Sequence, residues 1–240
     1  MSIADYPLDA DHQPDPVRPA SRRFLWVVYA LIGLFVIGSL AFATFRPILV
    51  LPRIGLAPGF SLQDETGQRF TSEDLRGQIA VYNFTYTNCV SPCPDTDAVM
   101  QGVQARLGEV DTGGIPVTLV TVSFDPRRDT PERLREYAAR LRGEDENWHF
   151  LTGAPDRLKW MIGGGFSVFY DARDDGTFTF DPAFMLVDGT GILRAEYRTA
   201  TPEVDRVLRD VGLVAQEANK SKGANRAAYE AAHLFLCYPR

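Results

Sequence analysis

Residues 24–45 form a stretch of 22 residues without a charged side chain, which constrains the organisation of the whole chain. A helix needs about 20 apolar residues to cross the hydrocarbon core of a bilayer, so this stretch is long enough. It is too long for the core of a signal peptide, and no clear small-residue cleavage site follows it. The sequence therefore predicts a transmembrane helix over residues 24–45 that is retained in the protein.

Arginines flank this span unequally. Three precede it and two follow it: Arg18, Arg22, Arg23, Arg46 and Arg53. Cytoplasmic flanks of membrane helices carry the excess of positive charge. We therefore expect a single-pass protein of the cell (cytoplasmic) membrane, with its N-terminus inside and its C-terminal domain on the outer, periplasmic side, where disulfides can form.

Composition divides the rest of the chain. Residues 1–23 are polar without apolar periodicity, which predicts a disordered cytoplasmic tail. Residues 46–58 contain three prolines and predict a stiff spacer, which could hold a domain up to roughly 40 Å from the membrane. Residues 59–212 predict one folded domain, and residues 213–240 predict a polar linker followed by a C-terminal helix.

The balance of charge and the cysteine content limit the function. A net charge of −6 and a pI near 5.1 argue against nucleic acid as a partner. Three cysteines are too few for a disulfide framework, so they indicate a local site instead.

Two of these cysteines, Cys89 and Cys93, lie between a predicted buried strand and a predicted helix. The apolar run at 79–84 predicts the strand, and Pro94 suits the first turn of the helix. The positive end of a helix favours thiolate over thiol, and a thiolate serves both redox exchange and soft-metal binding. The alternative is a disulfide that only staples the fold, although so short a loop would stabilise it little.

The predicted elements run in the order of an α/β fold. Buried strands at 79–85 and 116–123 are each followed by a helix, and a hairpin at 183–197 is followed by a helix at 202–211. This alternation predicts a mixed central sheet flanked by helices. The thioredoxin fold has this order, and the right-handed βαβ connection leaves few alternatives.

The motifs around and after the cysteines resemble those of the Sco/SenC family of membrane-anchored, thioredoxin-like proteins. The matching blocks are YNFTYTNC (82–89), CP (93–94), VSFDP (122–126), DTP (129–131), WHFLTG (148–153) and FSVFY (166–170). The resemblance covers about residues 55–212. It implies a role in assembling the CuA centre of cytochrome c oxidase, with an oxidase subunit or another membrane respiratory protein as the client.

The resemblance also implies a copper site made of two cysteines and one histidine. In the stretch where the family has that histidine, this chain has Phe180 or Pro182, depending on the alignment. Cu(I) accepts two thiolates alone, whereas Cu(II) prefers added nitrogen. Cys89 and Cys93 are therefore candidate ligands for Cu(I) as a cofactor.

Four other side chains are candidates for a third copper ligand. His233 and Cys237 are four residues apart on the predicted C-terminal helix, which otherwise suits docking on the domain or membrane. Met185 suits a core position better than a ligand position. His149 lies in a predicted strand, where a structural histidine fits better than a ligand.

Pro182 is the third candidate catalytic residue, after Cys89 and Cys93. Thioredoxin-like reductases carry a proline, usually cis, six residues before the Asp that ends this strand, and Pro182 has that spacing to Asp188. In such proteins it lies beside the cysteines and presents backbone to the substrate thiol. The alternative is a trans proline that starts an edge strand.

Three functions follow from these patterns. The cysteine pair is predicted to carry out thiol–disulfide exchange, to handle Cu(I), or both, during CuA assembly. As a thiol–disulfide oxidoreductase, the protein would attack with Cys89 and resolve the mixed disulfide with Cys93. The alternative is a non-catalytic thioredoxin-like subunit of a membrane respiratory complex.

Overall fold

The computed structural model describes residues 22–45, 49–89, 93–143, 146–223 and 225–235. The chain divides into two units, a long N-terminal helix and a domain that follows it. The helix, α1 (Arg22–Phe45), contains a 20-residue segment that is long and apolar enough to cross a membrane. Within the described residues, it is the one helix with this property.

The domain alternates short strands and helices. The helices are α2 (Thr96–Arg106), α3 (Pro131–Leu141), α4 (Pro155–Leu158), α5 (Val204–Lys220) and α6 (Asn225–Phe235). The strands are β1 (Gly55–Leu56), β2 (Ser61–Gln63), β3 (Arg69–Thr71), β4 (Ile79–Thr85), β5 (Val117–Ser123), β6 (Trp148–Leu151), β7 (Tyr170–Ala172), β8 (Phe178–Phe180), β9 (Phe184–Val187) and β10 (Ile192–Tyr197).

Six of these strands form one mixed sheet in the order β1-β10-β9-β4-β5-β6. Strands β4, β5 and β6 are parallel, whereas β9 pairs with β4 in the antiparallel direction. Two hairpins, β2–β3 and β7–β8, lie outside this sheet. The predicted mixed sheet flanked by helices is confirmed.

Strand β4 shows why the sheet is covered on both faces. Ile79 and Val81 face the core cluster shared with α2, α3 and α5. Tyr82 and Phe84 face a second core cluster, on the opposite side of the sheet. All seven residues of β4 are buried, as expected for a central strand between two layers.

The structure differs from the predicted spacer at residues 46–58. Val50 and Leu51 are only 0% and 4% exposed. Arg194 on β10 donates hydrogen bonds to the carbonyl oxygens of Leu51 and Pro52, and β1 pairs with β10. The short apolar segments between the prolines are buried or pair with the edge of the sheet. Residues 50–58 therefore belong to the folded domain.

The structure also differs at the predicted linker that begins at residue 213. Helix α5 continues to Lys220 because Val214 and Ala215 remain buried against the core. Glu217 then accepts a hydrogen bond from Arg194 at 2.5 Å. Helix α6 contacts α5, and its Tyr229 is buried.

Candidate functional site: the Cys89–Cys93 loop

Cys89 and Cys93 lie between the carboxyl end of β4 and the start of α2, and they form a disulfide. Their Cα atoms are 5.5 Å apart. Both side chains are half-buried, and Cys89 packs against the second core cluster. The structure therefore brings the two predicted cysteines together as a bonded pair.

The segment before Cys89 is held by a buried carboxylate. Asp129 has no exposed surface. It accepts hydrogen bonds from the backbone N–H of Thr87 at 2.9 Å, from the Thr87 hydroxyl at 2.6 Å and from the Ser123 hydroxyl at 2.5 Å. A buried carboxylate with this many donors fixes the backbone two residues before the first cysteine.

The segment after Cys93 is held by a chain of buried polar groups. Asn83 on β4 donates to the hydroxyl of Thr96, the first residue of α2, at 3.3 Å. Thr121 donates to Asn83 at 2.6 Å, and the Trp148 indole donates to Thr121 at 2.8 Å. This chain anchors the start of α2 to three neighbouring strands, β4, β5 and β6.

Two carboxylates sit at the positive end of α2. Asp95 caps the helix by accepting a hydrogen bond from the Ala98 N–H at 3.1 Å. Burial and the nearby Asp95 charge raise the pKa of Asp97, and a hydrogen bond from the Tyr137 hydroxyl opposes this. The helix end that was predicted to favour thiolates therefore also carries negative charge of its own.

Aromatic side chains form one wall of the site. Tyr86, three residues before Cys89, has ring-centroid distances of 5.0 Å to Phe178 and 6.2 Å to Phe180. Its backbone oxygen accepts from the Cys89 N–H at 3.3 Å. Phe180, one of the two residues predicted at the position of the family histidine, therefore belongs to a packed aromatic group and adds no metal donor.

Pro182 lies two residues before β9. Strand β9 runs antiparallel to β4, with Phe184 opposite Asn83. The start of β9 therefore lies at the same sheet edge as the carboxyl end of β4, where the cysteine loop begins. Pro182 is half-buried there.

The structure does not bring His233 to the cysteine pair. Its Nε2 lies 2.8 Å from Glu217 Oε1, and Glu217 is bound to Arg194. Arg194 also binds Asp188, which follows the end of β9 that pairs with Ala80 at the start of β4. That end of the sheet is roughly 20 Å from the cysteine loop, because β4 has seven residues. His233 as a copper ligand stays a prediction that requires α6 to move.

The other candidate ligands are also accounted for. Met185 is fully buried in the second core cluster, as its pattern indicated. His149 packs against Phe70, with ring centroids 4.6 Å apart and the rings tilted by 37°. Cys237 lies outside the described residues. No group of three or more His, Cys, Asp or Glu side chains in the described part of the chain is arranged to hold a metal.

Sequence reasoning missed the anchors of the loop, Asp129 and Asn83, and the aromatic wall. Asp129 was visible within a matched motif, but its role depends on Thr87, which is distant in sequence. A polar residue inside an apolar strand was the available signal for Asn83, since a buried amide requires partners.

A mixed α/β sheet with a cysteine pair at the carboxyl end of its central strand defines a thioredoxin-like protein. Residues 53–215 match the family described as SCO1/SenC. The chain belongs to this family.

Individual proteins show the same likeness. The SCO1 protein homolog of Bacillus subtilis is 34% identical over 94 residues, which cover 39% of this chain and 47% of that protein. BsSco, described as a member of the Sco family of cytochrome c oxidase assembly proteins, aligns with a TM-score of 0.61 and 24% identity over 70% of this chain and 98% of that chain. Arabidopsis thaliana ScoI with copper bound aligns with a TM-score of 0.59 and 24% identity over 68% and 99%. At these identities the two structures show the shared fold.

Proposed function

We propose that this protein is a Sco-type assembly factor that acts on a copper-binding subunit of a respiratory oxidase through Cys89 and Cys93. The observation that carries the proposal is the Cys89–Cys93 disulfide at the end of β4, held at both ends by buried polar groups. Family membership supplies the client class, since a solved Sco protein is described as a cytochrome c oxidase assembly protein.

The reaction is thiol–disulfide exchange. The Cys89 thiolate attacks one sulfur of a client disulfide and displaces the other client sulfur as a thiolate. Cys93 then attacks the Cys89 sulfur of the mixed disulfide, which forms the Cys89–Cys93 bond and releases the second client thiol. Two electrons and two protons pass to the client, whose cysteines become free to bind copper. Pro182, at the same sheet edge, supplies backbone against which the client segment lies.

Copper fits the reduced site as cargo. Two thiolates suit Cu(I), which is soft and is stable with two sulfur ligands. The aromatic wall offers no nitrogen donor in the place of the family histidine. The donor set therefore favours Cu(I) over Cu(II), and the disulfide form, which has no thiolate, releases it.

Helix α1 is the proposed membrane anchor, and the arginine bias around it supports a domain on the periplasmic side. That placement suits the chemistry, because disulfides persist in the periplasm and are rare in the cytosol. It also places the cysteine loop on the side of the membrane where the client's copper site would be assembled.

Trapping a mixed disulfide tests this proposal. The full-length Cys93→Ala variant, in a Cys237→Ala background, lacks the resolving thiol and is expected to accumulate a covalent adduct with an oxidase subunit. The adduct should appear on non-reducing gels, disappear with reductant, and be absent from the Cys89→Ala/Cys93→Ala control. A complete absence of adduct in host membranes would contradict thiol exchange.

A non-catalytic subunit role is the second candidate. Helix α6 favours it, because this helix lies beyond the matched family region and is bound to the domain through Arg53–Glu230 and His233–Glu217 contacts. Under this hypothesis, removing both cysteines leaves the oxidase unchanged, whereas deleting α6 impairs it.

A further inference from the structure

A cleft of about 420 Å³ opens beside the β7–β8 hairpin. Its walls come from three separated parts of the chain: the loop that follows β5, the region of α4, and the hairpin itself. No step of the proposed exchange reaction uses this cleft. Its shape and charge nevertheless suit it to binding a segment of a partner protein other than the segment that reacts with the cysteines.

Positive charge is concentrated at the cleft. Four cations line it against two carboxylates: Arg127, Arg128, Lys159, Arg173, Asp125 and Asp171. Asp125 is only 4% exposed and is paired with Arg128 at 3.3 Å, so its charge is compensated within the protein. This local excess of positive charge stands out in a chain whose net charge is −6.

Two of the four cations are available to a ligand. Arg127 and Lys159 are exposed, and their side chains form no hydrogen bond or ion pair with any described residue. The other two have structural roles. Arg128 joins Asp125 to the carbonyl oxygen of Gly176 in the hairpin turn. Arg173 donates through Nε to Thr179 at 2.7 Å.

The floor of the cleft is aromatic. Phe124 stacks on Tyr170 with ring centroids 5.0 Å apart, and it meets Phe178 edge-on at 5.1 Å. An apolar floor with a cationic rim accommodates a chain segment in which carboxylates alternate with apolar side chains. A small inorganic anion would leave this floor uncovered.

The cleft adjoins the cysteine loop. The Phe124 N–H donates to the Thr85 carbonyl oxygen, at the end of β4, at 3.2 Å. Tyr86 packs on both Phe124 and Phe178, at 5.4 and 5.0 Å. A partner segment bound in the cleft would therefore need only a few more of its own residues to reach Cys89.

We infer that this cleft binds an acidic segment of the client protein and so positions the client's cysteines at the Cys89–Cys93 pair. The identity of that partner as the client rests on the proposed function. The cationic rim attracts the segment and sets its orientation, and the aromatic floor holds the apolar side chains between its carboxylates.

Binding of a peptide without cysteine tests the inference. The probe is a short fluorescent peptide of alternating glutamate and phenylalanine, and its control replaces each glutamate with glutamine. Fluorescence anisotropy with the full chain in a neutral detergent gives both dissociation constants at low salt. The acidic peptide is expected to bind about ten-fold more tightly than the glutamine peptide, and the difference should shrink at high salt.

Charge reversal locates the site. Arg127→Glu/Lys159→Glu is expected to raise the dissociation constant of the acidic peptide by about ten-fold or more. The matched control, Lys220→Glu/Lys222→Glu, makes the same change of charge at the exposed end of α5 and the turn after it, and should bind as the wild type does. Equal binding of both peptides, or equal weakening in the two double variants, would overturn the inference.

The result is independent of thiol chemistry because the probe has no sulfur. Cys89→Ser/Cys93→Ser is expected to bind the acidic peptide with unchanged affinity. Peptide binding without a trapped adduct would support the cleft and contradict the exchange reaction. A trapped adduct without peptide binding would support the exchange reaction and contradict the cleft.

Discussion

Asp129 accepts hydrogen bonds from both the backbone N–H and the hydroxyl of Thr87, at 2.9 and 2.6 Å. The loop after β5 is thereby tied to the chain two residues before Cys89. Asn83 does the same for the far side of the loop through Thr96. The cysteine loop is therefore set by buried polar contacts to the sheet as well as by its own disulfide.

Asp129→Ala is expected to lower the free energy of unfolding by about 2–4 kcal/mol, because it removes the acceptor of the buried Ser123 hydroxyl and of the part-buried hydroxyl and N–H of Thr87. Urea denaturation of the full chain in detergent measures the change. Asp171→Ala, an exposed carboxylate, is the control and should change the value by less than about 0.5 kcal/mol. Similar losses in the two variants would contradict the assigned role.

Arg194→Leu is expected to lower the free energy of unfolding by about 3–5 kcal/mol, because Arg194 is 3% exposed and its loss removes one cation that pairs with two largely buried carboxylates. It binds Glu217 at 2.5 Å and Asp188 at 3.0 Å. Arg76→Leu breaks a surface ion pair with Glu73 and should lower the free energy of unfolding by less than about 1 kcal/mol. Thermal or urea unfolding measures the loss of stability in both variants. An equal loss in Arg76→Leu and Arg194→Leu would contradict this prediction.

His149 is expected to make the domain less stable as pH falls below its ordinary pKa of 6.5. Burial lowers the pKa of His149, which outweighs the opposing effect of the nearby Glu65 charge. The unfolded chain then takes up the proton at higher pH than the folded one, so stability is complete above pH 6.5 and declines below it.

Unfolding free energies of wild type and His149→Gln between about pH 7 and 5 test this effect. The variant should show a shallower decline with falling pH than the wild type. His12→Gln makes the same chemical change elsewhere in the sequence and should retain the wild-type slope. An unchanged slope in His149→Gln would show that another group titrates.

Phe180→His is expected to add Cu(II) binding to the reduced protein, because it places a nitrogen donor in the aromatic wall beside the cysteine loop. A copper–thiolate absorption band should appear in the variant. Successive strand residues point to opposite faces, so Thr179→His places the same group on the other face of β8 and should behave as the wild type does. Equal bands in the two variants would contradict the proposed geometry.

The sheet and the cysteine loop could be predicted from the sequence because their signals are local. Apolar runs of strand length mark β4 and β5, and Pro94 indicated a helix, which the structure begins two residues later, at Thr96. The resemblance indicated the family and the expected chemistry. The match of residues 53–215 to the SCO1/SenC family confirms the family.

The sheet edge and the end of α5 could not be predicted in the same way. Val50 and Leu51 look like part of a proline-rich spacer, but both are buried, and Arg194 donates hydrogen bonds to the carbonyl oxygens of Leu51 and Pro52. Glu217 looks like a linker residue until Arg194, 23 positions away, is placed beside it. Contacts between distant residues decide both boundaries, and a local pattern does not contain them.

Oxidase assembly in a strain whose only copy carries Cys89→Ser/Cys93→Ser tests the central claim most directly. The variant and a Cys237→Ser control should be present in membranes at equal amounts, and the copper content and activity of the oxidase are then measured. The double variant is expected to lose copper-dependent oxidase activity, and the control is expected to retain it. Full oxidase activity in the double variant would contradict a role for the cysteine pair in assembly and leave the non-catalytic role.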